Sequence, residues 1–388
     1  MFTKILLASR GEIAARVART CKRMSITTVA VHGDADSDSI HVQASDEVIA
    51  ISTEAGVASY MTHDAMIDAA KKSGADAVHP GYGMLATDVE FAKRVVVEGL
   101  SWVGPSAEML ALCADDSAVR AAAAETSVRM APPKGEEPIP FPRHIEVQLI
   151  GDAAFDFVTI GERECSLRHH KKRLLAESPA PGVSALLNGD YVREALNEAA
   201  IRLASTLKLV GPVTVKFLLD PDGVYHCLGV TPGLTPEHAL HEMCTGLDLV
   251  EVQMRLAAGE AMPDEVLVAT PTGHAIEARV AWDDAEPATG VVEEARFPPI
   301  GAGKVRIETG FAPGTRILDS YDDIVANVTA YTPARHQSVL TLDRVIAETA
   351  MSPQKTNIPL LRKVLGHEGF RAGQFDATFV ERMLTQRL

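Results

Sequence analysis

The first hundred residues constrain the fold most, because short apolar runs alternate there with helix-forming stretches. Residues 4–8 read as a buried strand, 13–24 as a helix and 27–31 as a second strand. A short strand at 47–51, a helix at 63–73, a strand end at 77–79, a helix at 88–98 and a last strand near 102–105 complete the series. Strands that alternate with helices imply a parallel sheet covered on both faces, since each crossover lays a helix against the sheet. The turn Ser9-Arg10-Gly11-Glu12 falls where such sheets receive anions at a helix N-terminus. It lacks G-x-G-x-x-G, which argues against a dinucleotide site.

Beyond this unit the pattern changes. Residues 107–114 and 117–126 read as helices, and 131–142 (APPKGEEPIPFP) is a linker by composition. Residues 144–150 and 156–160 alternate as antiparallel strands, and 190–207 is an amphipathic helix. A hairpin follows, with 213–219 and 224–230 flanking the turn Asp220-Pro221-Asp222-Gly223. Residues 247–258 read as a helix ended by Gly259, and 274–281, 291–297, 305–309 and 324–330 as strands. Two helices, 341–349 and 359–365, close the chain.

The net charge of −15 over 388 residues argues against nucleic acid or an anionic membrane as partner, since both need a basic face. Within this acidic chain Arg168-His169-His170-Lys171-Lys172-Arg173 stands out as a basic cluster, a solvated face or a contact for a phosphate. Five cysteines without a C-x-x-C pair fit a reducing compartment and neither a disulfide framework nor a zinc site. The apolar run near Met1 is too short for a signal peptide or a membrane span, so a cytoplasmic location is expected.

Taken in order, ILLASRGEIAARVARTCK, AVHPGYGMLATDVEFA, WVGPSAEML, PRHIEVQLIGD, ERECSLRH, PEHALHEMCTGLDLVEVQMRLAAGE, GHAIEARV and KVRIETGFAPGTRI resemble the biotin carboxylase family across nearly the whole chain. The resemblance implies an α/β plus α+β protein in three domains. These are a pre-ATP-grasp parallel-sheet domain over 1–105, an ATP-grasp domain over 106–270 and a C-terminal β-rich domain over 271–388. It also implies a lid subdomain before the PRHIE strand, where this chain has only a short interval, so a truncated ATP grasp is expected.

The resemblance further implies metal-binding glutamates at positions 216 and 229, an asparagine at 231, an arginine at 233 and a nucleotide-facing lysine at 116. The chain carries Lys216, Gly229, Thr231, Gly233 and Asp116 there. Glu237, His238 and Arg306 match the family pattern and are the candidates for anion or biotin contact. These departures lead to the expectation of a catalytically degenerate subunit, a pseudoenzyme with no catalytic residues, no bound metal, no ATP and no biotin-attachment motif of its own. Its expected partners are an active biotin carboxylase, a biotin carrier and a carboxyltransferase of an acyl-CoA carboxylase complex. A homo- or heterodimer through the first and last domains is also expected. The alternatives are an active ATP-dependent carboxylase or ligase with an altered site, and a module binding biotin or a small anion.

Overall fold

The computed structural model describes residues 1–34, 36–52, 60–133, 135, 137–283, 289–298, 304–317 and 324–385. Positions 134 and 136 of the Pro-rich linker lie outside the described residues. The N-terminal alternation folds as expected into a parallel sheet ordered Glu47–Ser52, Thr27–Gly33, Lys4–Leu7, Ala77–His79 and Ser101–Trp102. Its central strands are largely apolar, with Ile5, Leu6, Leu7, Val29, Ala30 and Val31 fully buried, because helices cover both faces. The order reverses between Lys4–Leu7 and Ala77–His79, so a crevice opens beyond their carboxyl ends. Two turns rim that crevice, Ser9–Glu12 and Pro80–Gly83. At Gly81 (φ +66°) a Cβ would fall 2.8 Å from the Ile13 side chain, so the turn requires glycine.

The second sheet is antiparallel throughout. Its order is Tyr225–Pro232, Gly211–Leu219, Arg143–Gly151, Phe157–Glu164, Leu175–Ser178, His274–Ala281, Ile324–Thr332 and Val305–Thr309. It runs unbroken from the central region into the C-terminal one, through the pairing of Leu175–Ser178 with His274–Ala281. The hairpin shows the period of two that a half-buried strand demands. Val213, Val215, Phe217 and Leu219 are buried against the helix Gly189–Thr206, while Thr214 and Lys216 point to the other face. Phe217 meets Tyr225 edge to face across the hairpin, with ring centroids 5.6 Å apart.

The linker is fixed at its start. Ala131 N–H donates to the Cys227 carbonyl at 2.8 Å and Cys227 N–H donates to Arg129 at 2.7 Å. This contact covers part of the edge strand Tyr225–Pro232, which would otherwise expose unpaired backbone. The stretch 291–297 differs from its expected single strand. Gly290–Val291 pairs with Arg316–Ile317 and Glu294–Arg296 pairs with Ala350–Ser352, so the chain changes partner at Val292. The terminal helices run longer than expected, as Arg335–Glu348 and Ile358–Gly366, around a core that includes Leu342, Ile346, Leu361 and Phe370. Among the described residues no helix is long and apolar enough to cross a membrane.

Candidate active site

A cavity of about 740 Å³ lies where the parallel-sheet crevice meets the antiparallel sheet. Ser9, Arg10, Glu12 and Tyr82 come from the two turns of the first unit, and Glu146, Lys216, Thr231 and Glu237 from the central sheet and the loop after the hairpin. Arg168, Lys171, Lys172, Arg173 and Arg279 join them, so cations outnumber the lining carboxylates Glu12, Glu146 and Glu237. A net positive cavity in a chain of net charge −15 is a local concentration of field suited to an anion.

The carboxylates in this cavity are already engaged. Arg163, fully buried, donates from Nε to Glu146 at 2.8 Å, to Gln148 at 3.0 Å, and to the hydroxyls of Thr214 and Thr235 at 3.1 Å each. Arg173 reaches Glu146 at 2.7 Å and Glu237 at 2.6 Å, and Arg279 also pairs with Glu237. Burial pushes both carboxyl groups up, but the guanidinium groups prevail. Arg173 and Arg163 hold Glu146 well below the usual range, and Arg173 and Arg279 bring Glu237 down to about 2. Both are therefore carboxylates whose lone pairs face arginine.

Lys216 is set differently. Burial lowers its ammonium from the ordinary lysine value, against the pull of Glu146 and with Arg173 and Arg163 adding to the effect. It stands opposite Glu146 on one neighbouring strand and Gly229 on the other. Gly229 has φ +148° beside a bulge in the hairpin, and a Cβ there would meet nothing within 4 Å.

The structure divides the sequence-derived candidates. Glu237, Lys216 and Thr231 share the cavity. Gly233 packs against Pro105 with φ +90°. Asp116 is exposed in the first turn of the helix Asp116–Glu125, where it pairs with Arg120 at 2.6 Å. Arg306 belongs to a second cluster, paired with Glu242 and with Glu308, whose Oε1 lies 3.0 Å from Nε. His238 bridges the two regions, with Nδ1 3.0 Å from the Thr235 carbonyl and Nε2 3.4 Å from Arg306.

In the second cluster Arg16 binds Glu242 at 2.9 Å and Asp248 at 2.8 Å and approaches Glu308 at 3.4 Å. Burial would raise the Glu308 carboxyl, yet His238 and Arg306 bring it down to about 2. Sequence reading missed Arg163 and Arg16 as organising residues. For Arg16 the available signal was an arginine among the buried residues of a largely apolar helix, a position that arginine takes only when paired, whereas Arg163 sits among Glu146, Gln148 and Thr214 and gave no local signal.

A cationic cavity at the switch point of a parallel sheet, shared with an antiparallel one, is of the class suited to a small polyanion. Comparison with known proteins narrows this class. Residues 1–110 match the biotin carboxylase N-terminal domain, 109–265 the carbamoyl-phosphate synthase L chain ATP-binding domain and 276–382 the biotin carboxylase C-terminal domain. The chain is 30% identical to a biotin carboxylase of Halalkalibacterium halodurans, covering 99% of this chain and 98% of that protein. It is 31% identical to the methylcrotonoyl-CoA carboxylase subunit alpha of Oryza sativa, covering 98% of this chain but 60% of that protein. Among solved structures, a biotin carboxylase domain of a thermophilic 2-oxoglutarate carboxylase bound to ADP superposes with a TM-score of 0.91 at 26% identity, covering 98% of each chain. A biotin carboxylase of Campylobacter jejuni also gives 0.91, at 25% identity over 98% of this chain and 99% of that one. The chain belongs to the biotin carboxylase family.

These findings overturn two expectations drawn from the sequence. A whole-length match to biotin carboxylases, with an ATP-binding domain over 109–265, contradicts a pseudoenzyme and contradicts a chain without cofactor. The error was to take the glutamates missing at 216 and 229, the short lid interval and the lysine replaced by Asp116 together as loss of the whole phosphate machinery. Positioning and neutralisation of phosphate charge carry such chemistry, and lysine and arginine supply both. The cavity residues fit a nucleotide polyphosphate. They do not fit a divalent ion ligated by the hairpin, because Lys216 and Gly229 offer no carboxylate, and Glu146 and Glu237 are each held by two arginines. Among the described residues no group of three or more His, Cys, Asp or Glu is arranged to hold a metal ion.

Proposed function

We propose that this chain is an ATP-dependent carboxylase of the biotin carboxylase type, with an altered phosphate site, acting within a biotin-dependent carboxylase. The cation surplus in the switch-point cavity carries this reading. Lys216 and the Lys171–Lys172 pair neutralise phosphate charge, while Arg163 and Arg173 hold Glu146 in place. Glu237, oriented by Arg173 and Arg279, is the candidate base toward bicarbonate, and Thr231 offers a hydroxyl at the cavity wall. A divalent ion accompanying the nucleotide would add to the neutralisation of phosphate charge.

The organisation we assign is a parallel-sheet unit over 1–105, a nucleotide-binding unit over 106–270 with a shortened lid, and a unit over 271–388. The aligned spans of the relatives, 448 and 451 residues, exceed the 388 residues here, which supports a segment present in them and without counterpart in this chain. A biotinylated carrier and a carboxyltransferase are the partners assigned, with the cytoplasm as location. Incubating the full chain with Mg-ATP, free biotin and labelled bicarbonate tests the function. Acid-labile label on biotin together with ADP release is expected, and neither product above the protein-free blank would refute it.

A further inference from the structure

We propose that Lys216 contacts the nucleotide polyphosphate directly through its ammonium, so that this chain binds ATP without a divalent ion ligated by the hairpin. The inference rests on the cavity being the ATP site and specifies how one of its cations meets the phosphates. Strand alternation places Lys216 on the cavity face, since Val215 and Phe217 on either side are buried in the opposite core. Among the cavity cations the arginines are committed, Arg173 to Glu146 and Glu237, and Arg279 to Glu237. Lys216 has no hydrogen-bond or ion-pair partner among the described residues, although it faces the cavity and is not fully exposed.

Burial costs this ammonium free energy that the charges of Glu146 and Glu237 offset only in part, and an incoming anion adds to that offset. Gly229 stands directly across the hairpin, and apart from its chain neighbours no atom lies within 4 Å of where its Cβ would be, so no side chain at that position covers Lys216. A metal-binding arrangement at the same place needs free carboxylate oxygens. The facing carboxylate, Glu146, has one oxygen on Arg163 and the other on Arg173. A charge-assisted N–H···O⁻ contact from lysine is thus the neutralising interaction this site can make.

The test is calorimetric titration of the full chain with ATP, in excess Mg²⁺ and separately in EDTA. Wild-type affinities under the two conditions are expected to agree within about threefold, and Lys216→Met should weaken both by about tenfold or more. Lys216→Arg should stay within about threefold of wild type. Lys216→Glu should abolish binding in EDTA, and thermal unfolding of each variant separates loss of site from loss of fold. Unchanged affinity in Lys216→Met overturns the proposal, as does wild-type binding that disappears in EDTA, and either result leaves ATP assigned to the cavity. Absence of binding under both conditions overturns this proposal and the functional reading together.

Discussion

Two arginine–carboxylate clusters share the helix His238–Thr245, and they differ in their balance of charge. Glu237, at its start, belongs to the cluster of Arg163, Arg173, Arg279, Glu146 and Lys216 beside the cavity. Glu242, within it, belongs to the cluster of Arg16, Arg306, Asp248 and Glu308. In the second cluster the acids at least match the buried arginines, and each partner finds its counter-charge inside the protein. In the first, cations exceed acids and one of them, Lys216, faces open space. A balanced cluster fixes how the helix Gly11–Arg23 meets the helix Leu249–Ala257. In the proposed reading the unbalanced one receives the ligand, so similar residue types serve assembly in one place and binding in the other.

Removing Arg163 should cause the largest disturbance, because it leaves Glu146 with one guanidinium and strands the hydroxyls of Thr214 and Thr235. Breaking a fully buried pair by deleting one member costs about 3–5 kcal/mol, so Arg163→Met should lower the denaturation midpoint sharply and impair nucleotide binding as well. A loss under about 1 kcal/mol would mean that Arg163 is not what holds the cavity wall. Arg16→Met sharpens the contrast. It should cost about 2–3 kcal/mol, somewhat less because Arg306 still pairs with Glu242, yet leave ATP affinity unchanged. A drop in affinity equal to that of Arg163→Met would erase the distinction between the clusters.

The pH dependence of stability carries opposite signs in different carboxyl groups. Glu237 and Glu308 are both brought from 4.5 to about 2. As the unfolded chain takes up protons first, their contribution is present above about pH 4.5 and lost as the pH falls toward 2. Each is worth up to about 3 kcal/mol. Acid unfolding of Glu308→Gln, followed by circular dichroism, should show a shallower pH dependence in that window. Glu277 behaves in reverse. Burial, aided by the charge of Glu237, raises it to about 8. Its contribution is complete below about 4.5 and is lost as the pH rises through 8. Glu277→Gln should therefore flatten any decline of stability between pH 5 and 8, and an unchanged slope would show that another group causes it. The smallest effect is expected at Asp116, exposed and paired only with Arg120 at i+4. Asp116→Asn should change stability by no more than about 0.5 kcal/mol and leave ATP binding intact.

How much of this was legible in the sequence follows from the range of the interactions concerned. The parallel sheet was legible because its strands and helices are local periodicities, and so was the hairpin around Asp220–Gly223. The substitution of Lys216 and Gly229 into a metal-binding pattern was legible too, but only as a loss. Its positive content lies in the register that sets Lys216 between Glu146 and Gly229, and register is a property of three strands together. Arg163 was invisible for the same reason. Its partners stand on two other strands and on a loop 72 residues away. Arg306 and Glu237 were grouped from their likeness to family positions, whereas capture of Arg306 by Glu242 and Glu308 assigns them to different clusters. The continuity of the antiparallel sheet from the central region into the C-terminal one also depends on pairing between segments about a hundred residues apart, which no local pattern encodes.

The unbalanced cluster is proposed as the nucleotide site of an active enzyme. Titration of the full chain with Mg-ATP, followed by displacement with ADP, tests it most directly. Saturable heat at one nucleotide per chain, lost in Arg163→Met and retained in Arg16→Met, is the expected result. No heat from the folded wild-type chain, or equal loss in both variants, would contradict it.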